Sequence, residues 1–247
     1  MRGYKTIYIL PNSMTTAALF CGFYAILAAN DGRFGFAAML IFSAMIFDGL
    51  DGRIARWTKT ESNFGVQYDS LSDMVSFGVA PALVLYEWSL HAVETTPFLP
   101  AKLGWMSAFI YATCAALRLA RFNVQAAEMD KSVFIGLPSP SAAAIVCGYV
   151  WVGARYQWQG EALVVVSLIV MLLAGLSMVS NFKYYSFKTF KLQSRLPFSR
   201  AILPAALLAL LFLEPSPVLF TLFVAYGVSG PIWSIWRLIK KRQLNNK

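Results

Sequence analysis

The sequence predicts an all-α membrane protein, a polytopic bundle of about eight transmembrane helices. Three observations carry that reading. Hydrophobic residues make up 58% of the 247-residue chain and charged residues 13%, about half the charged share of a soluble domain. Such a chain lacks the polar side chains to cover its own surface and needs lipid as solvent. Its apolar residues are gathered into runs of roughly 20, the length that crosses a bilayer as a helix. The charges fall between those runs with a strong bias in sign.

In order, the runs are Ile7–Ala29, Phe34–Trp57, Gln67–Leu90, Leu103–Phe122, Pro140–Tyr156, Ala162–Phe182, Phe198–Leu213 and Pro217–Ile239. The seventh is short and contains Pro204, but removing it would put the basic C-terminus outside. With both termini cytoplasmic, 18 of the 21 basic residues lie inside and only Arg33, Lys102 and Arg155 lie outside, as the positive-inside rule requires. The net charge of +9 therefore reads as cytoplasmic loops beside anionic lipid rather than as a nucleic-acid surface. The first run lacks a small-residue cleavage pattern and reads as a retained span. His91–Ala101, with Pro97 and Pro100, reads as an outside loop. The basic connection 182–198 reads as a short interfacial helix or a lipid-facing loop, and 237–247 as a basic cytoplasmic tail. Without internal repeats, residues 1–247 read as a single membrane domain.

Cys21, Cys114 and Cys147 sit in apolar runs without metal or disulfide spacing and read as packing residues. Trp57, Trp88, Trp105, Trp233 and Trp236 fall near span ends, as interface anchors do. The one histidine, His91, stands at the outside edge and is given no catalytic role.

The aspartates need a different explanation. A charge within a span costs at least about 2.5–3.5 kcal/mol near the helix centre. Asp48 and Asp51 stand at i, i+3 at the end of the second run, and Asp69 and Asp73 at i, i+4 at the start of the third. Each pair shares a helix face, and a short connection sets the two pairs side by side at one depth. Four crowded carboxylates repel unless one or two divalent cations join them. All-oxygen ligands suit Mg²⁺, Ca²⁺ or Mn²⁺, and the absence of His and Cys argues against zinc. Because Mg²⁺ combines a few carboxylates with substrate phosphate oxygens, this points to phosphoryl transfer. Gly49, Gly52 and Gly65 allow close approach to backbone. Arg53 and Arg56 offer charge-assisted bonds to phosphate.

The run Asp48-Gly49-Leu50-Asp51-Gly52-Arg53-Ile54-Ala55-Arg56, followed after eight residues by Gly65, Asp69 and Asp73, resembles the signature of the CDP-alcohol phosphatidyltransferases at every fixed position. Arg118-Leu119-Ala120-Arg121-Phe122-Asn123, Gly136–Ala143, Met178-Val179-Ser180, Lys183–Lys188 and Leu10-Pro11-Asn12 with Thr15 and Thr16 resemble segments of the integral-membrane phosphatidylserine synthases. Asn181-Phe182 departs from the more polar or proline-bearing turn expected there.

The resemblance implies a helical bundle at the cytoplasmic membrane, active at its cytoplasmic face, that is often a homodimer. Asp48, Asp51, Asp69 and Asp73 would hold two divalent cations, Mg²⁺ or Mn²⁺, with Asp73 also the general base. Gly52, Ala55, Arg56 and Gly65 would face the CDP moiety, with Ser62 near the cytosine. The donor would be CDP-diacylglycerol from the membrane lipid, the acceptor L-serine and the products phosphatidylserine and CMP. Arg118, Arg121 and Asn123 are candidates to hold serine or a lipid phosphate, unless the arginines snorkel to headgroups. Lys183, Tyr184 and Lys188 either line a lipid entry or form an interfacial belt. Asn12, Thr15 and Thr16 either touch the nucleotide or bond to neighbouring helices. The alternatives are another acceptor, glycerol 3-phosphate or an inositol phosphate, and a cation-coupled transporter.

Overall fold

The computed structural model describes residues 9–58, 60, 62–125, 133–185 and 198–245. Helix α1 (Ile9–Asn30) runs into α2 (Phe34–Thr58) through a three-residue turn with Gly32 at positive φ, and the two pack antiparallel along their length. Alanines make this close: Ala18, Ala25, Ala28 and Ala29 of α1 and Ala37, Ala38 and Ala44 of α2 are all buried in one core. In lipid, where the solvent is as apolar as the side chains, small residues that let backbones approach are what drives helix association. The same core contains Cys21, Cys114 and Cys147, all free thiols, as their packing role requires.

The third helical stretch is α3 (Asn63–Asp73), a π-helical segment Met74–Val79 and α4 (Ala80–Trp88). The sequence predicted one regular helix here. Pro81 explains the difference. It has no N–H to give the Phe77 carbonyl four residues earlier, and the Tyr111 hydroxyl from α5 (Leu103–Gln125) donates to that carbonyl instead, at 3.1 Å. The wide turn accommodates the interruption without breaking the helix. Gly22 of α1 meets this stretch at Ser76, whose Oγ donates to the Ala18 carbonyl at 3.0 Å. A Cβ on Gly22 would stand 2.6 Å from that Oγ.

The remaining elements are β1 (Val133–Ile135), α6 (Ser139–Arg155), α7 (Val164–Val179), β2 (Lys183–Tyr185), α8 (Phe198–Leu213) and α9 (Pro215–Asn245). Among the described residues, five helices are long and apolar enough to cross a membrane: Pro11–Asn30, Phe34–Thr58, Leu103–Val124, Gly160–Val179 and Pro215–Ser234. The other three predicted runs also fall on helix, but α6 and α8 have 17 and 16 residues and the third stretch carries the π segment. Phe20, Phe23, Ile46, Phe109, Leu173 and Phe212 stand exposed around the bundle, an apolar surface that water would not tolerate on this scale. This is an all-α, multi-pass membrane architecture.

Two expectations are corrected. His91–Ala101 is only partly a loop, because Leu90–Thr95 forms a 3₁₀ turn whose Leu90, Ala92 and Val93 are buried. Trp88 is no interface anchor. It is buried, lies edge-on to Tyr149 and packs against Gly153 and Gly160, whereas Trp57, Trp105 and Trp236 are exposed. The Met1–Tyr8 start, Lys131 and the predicted interfacial segment from Ser186 to Pro197 lie outside the described residues.

The strands are also new. β1 and β2 pair antiparallel, with Val133 opposite Tyr185 and Ile135 opposite Lys183. The pairing continues past β1: Gly136 N donates to the Phe182 carbonyl at 2.8 Å and Leu137 N to the Ser177 carbonyl at 2.9 Å. Gly136 has φ +79°, and a Cβ there would collide with the Met178 carbonyl and approach Arg121 Nη2 at 2.6 Å. Replacing Gly136 by alanine is expected to destabilise the fold by more than the 1–3 kcal/mol or so of backbone strain alone, because the collision is with backbone. A thermal melt of the detergent-solubilised protein checks this. An unchanged midpoint would contradict the geometry.

Candidate active site

The connection between α2 and α3 is short because it is capped at both sides. Thr60 N returns to the Ala55 carbonyl at 3.0 Å, and Ser62, in extended conformation, accepts from Gly65 N at 3.0 Å through its Oγ. This N-cap satisfies one of the unpaired amides that open a helix. Ser62, expected near a cytosine, thus has its oxygen engaged by its own helix.

The two aspartate pairs meet across this connection. One carboxylate oxygen each of Asp48, Asp51 and Asp69 lies within 4.8 Å of the others. The Asp73 carboxyl meets that of Asp48, and the Asp51 carboxyl meets that of Asp69. All four predicted aspartates therefore form one cluster. Asp51 is buried and accepts from Thr15 Oγ1 at 2.7 Å. The Thr15 carbonyl accepts from Ser72 Oγ at 3.1 Å, so one residue of α1 ties both halves of the cluster together. Asp69 Oδ1 is buried and has no hydrogen-bond partner among the described residues.

That oxygen is the test of whether a metal fits. A buried carboxylate oxygen without a donor is costly, and like charges this close repel. Oxygens that share one Mg²⁺ stand at most about 4.2 Å apart, and on Ca²⁺ at most about 5 Å, which is compatible with separations within 4.8 Å. The donor set is all oxygen. The residues fit a hard divalent cation.

Around the cluster, no described residue stands within 4 Å of where a Cβ on Gly49 would sit, leaving room beside Asp48. Arg56 folds back over Gly52, with Nη1 3.6 Å from where a Cβ would stand. Arg53 and Arg56 are exposed, Ala55 is half-buried, and Gly65 faces Ser62 Oγ and Asn12 Oδ1. Thr15 and Thr16 prove to bond between helices, Thr15 to Asp51 and Thr16 to the Tyr68 hydroxyl at 2.9 Å.

The two arginines of α5 diverge. Arg121 binds backbone: Nη1 donates to the Val179 carbonyl at 3.2 Å, and Nη2 to those of Ile135 and Met178 at 3.0 and 3.1 Å. It caps the end of α7, where carbonyls lack helical partners, and ties β1 to it. Arg118 is buried instead and lies within electrostatic range of Asp73. Its Nη1 donates to Ser139 Oγ at 2.8 Å, and its buried Nε has no partner among the described residues. Asn123 Nδ2 donates to Ser70 Oγ of α3 at 3.0 Å.

Sequence reasoning missed Ser139 as an arginine partner and Tyr226, which comes near Arg118 from α9. Ser139 stands within Gly136–Ala143, but its partner is 21 residues away. Tyr226 gave no signal, being one aromatic in an apolar run. Tyr184 is buried and lines neither a lipid entry nor a belt. Its hydroxyl donates to the Gly227 carbonyl at 3.1 Å and its ring packs on Tyr226. Lys188 lies outside the described residues.

The family model for CDP-alcohol phosphatidyltransferase matches residues 8–179, which include all four aspartates and both arginines. A protein of Helicobacter pylori strain J99 named CDP-diacylglycerol–serine O-phosphatidyltransferase is 34% identical over 95% of this chain and 94% of its own length. Proteins of the same name from Mycobacterium leprae and Methanocaldococcus jannaschii are 42% and 40% identical over 58% and 59% of this chain, covering 46% and 61% of their own lengths. With that match spanning helices α1 to α7, the chain belongs to the CDP-alcohol phosphatidyltransferase family.

Proposed function

We propose that this chain transfers the phosphatidyl group of CDP-diacylglycerol to the hydroxyl of L-serine, giving phosphatidylserine and CMP. The observation that carries the chemistry is the convergence of Asp48, Asp51 and Asp69, with Asp73 against Asp48, between α2 and α3, where Asp69 Oδ1 is buried and without a partner among the described residues. The choice of serine is supported by the names of the relatives, one of which aligns over nearly the whole chain.

In this reading Asp48, Asp51, Asp69 and Asp73 hold two divalent cations, Mg²⁺ or Mn²⁺. When bound, these offset the carboxylate charge and that of the donor's diphosphate. Gly49 and Gly52 let the diphosphate approach the α2 backbone. Arg56, with Ala55, Ser62 and Gly65, lines the CDP side. Asp73 accepts the serine hydroxyl proton while the serine oxygen bonds to the phosphorus bearing diacylglycerol. The bond from that phosphorus to the CMP oxygen breaks, and CMP leaves. Arg118, inside the bundle and near Asp73, holds the serine carboxylate, and Asn123 braces α3 through Ser70. Beyond that proton, catalysis is positioning and electrostatics.

The whole chain acts as one eight-span domain of the cytoplasmic membrane, with both termini and the site on the cytoplasmic side. The basic residues support this, since Arg53, Arg56, Arg118 and Arg121 share the aspartate end while Arg33 and Arg155 stand at the other, paired with Asp31 and Glu214. A homodimer belongs to the same reading.

The experiment is CMP release from CDP-diacylglycerol with a panel of acceptors, with the lipid product identified by mass. L-serine is expected to exceed glycerol 3-phosphate and inositol phosphate by about tenfold or more, since a site built for one polar group rejects ligands that leave its partners unpaired. Faster turnover with glycerol 3-phosphate would overturn the choice of serine.

A further inference from the structure

A guanidinium has three edges, and which one is free decides what it recognises. Arg118 is 9% exposed, and among the described residues Nη1 is its one hydrogen-bonded donor group, 2.8 Å from Ser139 Oγ. The edge left over is the pair Nε–H and Nη2–H, two parallel donors that match the two oxygens of a carboxylate. The buried Nε has no partner among the described residues, although an unpaired buried donor of a charged group is costly. Ser139 is buried to 1% exposure. It stands at the first residue of α6, immediately after Gly136-Leu137-Pro138. That segment is held to α7 by Leu137 N on the Ser177 carbonyl and, through Ile135, by Arg121. The hydroxyl is therefore a fixed post, not a mobile surface group.

We propose that Ser139 is a positioning residue of the acceptor site: it anchors Nη1 of Arg118 so that the Nε–Nη2 edge is presented as a two-pronged fork for the carboxylate of the incoming amino acid. This rests on the reading that serine is the acceptor and that Arg118 takes its carboxylate, and adds the residue that holds Arg118 in position. Without the post, the guanidinium rotates about its long side chain, and the fork is presented only part of the time. The hydroxyl and the diphosphate make no use of this edge, so the loss falls on acceptor binding.

The test compares wild type with Ser139→Ala, Ser139→Thr and Arg118→Lys in detergent–lipid micelles, taking kcat and separate KM values for L-serine and CDP-diacylglycerol. Inhibition against serine by L-alanine, which keeps the carboxylate but lacks the hydroxyl, and by ethanolamine, which lacks the carboxylate, is measured alongside. Ser139→Ala is expected to raise the KM for serine and the inhibition constant of L-alanine by about tenfold, the effect of loosening a hydrogen bond to a charged group. The KM for CDP-diacylglycerol, kcat and the ethanolamine constant should stay within about twofold, the scatter allowed for a change that touches neither group. Ser139→Thr, which keeps the hydroxyl, restores the serine KM. Arg118→Lys keeps the charge but loses the fork, and raises the KM for serine and the L-alanine constant more than the KM for CDP-diacylglycerol, even if the alanine variant fails to fold. Equal losses for serine and CDP-diacylglycerol, or an unchanged L-alanine constant in both variants, overturn the positioning role. A wild-type enzyme that prefers an acceptor without a carboxylate overturns instead the serine reading beneath it.

Discussion

Asp73→Asn is expected to lower CMP release by about 10²–10⁴-fold, the usual contribution of a positioned general base. Asparagine has the shape of aspartate and cannot take the acceptor's proton. It is also neutral, so it removes one charge from a cluster in which Asp73 meets Asp48. The two effects have opposite consequences. Activity falls, while the melting temperature without added metal holds or rises, because the variant relieves repulsion among carboxylates. A merely structural aspartate would lose both together. CMP release and a thermal melt on the same preparation decide it. An Asp73→Asn enzyme with more than about a tenth of wild-type turnover would remove Asp73 from proton transfer, since even a weak general base contributes more than that.

Removal of divalent cations is expected to be as damaging. A chelator should bring activity to background, with recovery on addition of Mg²⁺ or Mn²⁺. The same cations should stabilise the protein, by about 2.7 kcal/mol at a hundred times the dissociation constant. The reason is the unpartnered Asp69 Oδ1 and the three carboxylates within 4.8 Å. An ion that supplies the missing partner acts on the folded state alone. Asp69→Asn should therefore lose most of the metal-dependent rise in melting temperature, whether or not it retains activity. If cations leave the wild-type melt unmoved, the cluster is not a metal centre. The melt separates binding from turnover, which an activity assay alone does not.

How much of this was legible before folding differs from residue to residue. Asp48 and Asp51, or Asp69 and Asp73, share a helix face by spacing alone, and a short connection leaves the two pairs no choice but to be neighbours. Residues 67–90 read as helix for the same reason, since apolar length and local hydrogen bonding suffice. The π segment at Met74–Val79 was not legible, although its cause, Pro81, stood in the sequence. Whether a proline breaks, kinks or widens a helix depends on what satisfies the carbonyl it strands, and here that is Tyr111 from another helix. The strands β1 and β2 were missed because three-residue segments separated by two helices have no periodicity to show.

The arginines show where the boundary lies. Arg118 and Arg121 are equivalent in sequence, three residues apart at the same end of one span, and both were candidates for ligand. Composition, spacing and charge bias determined the membrane bundle and the end at which the four aspartates gather, because these follow from local geometry and the cost of charge in lipid. Only the tertiary structure decided that Arg121 closes the carbonyl end of α7 while Arg118 keeps an open edge beside Asp73. A side chain's free donors are what remains after its neighbours are satisfied, and those neighbours come from helices far away in the chain.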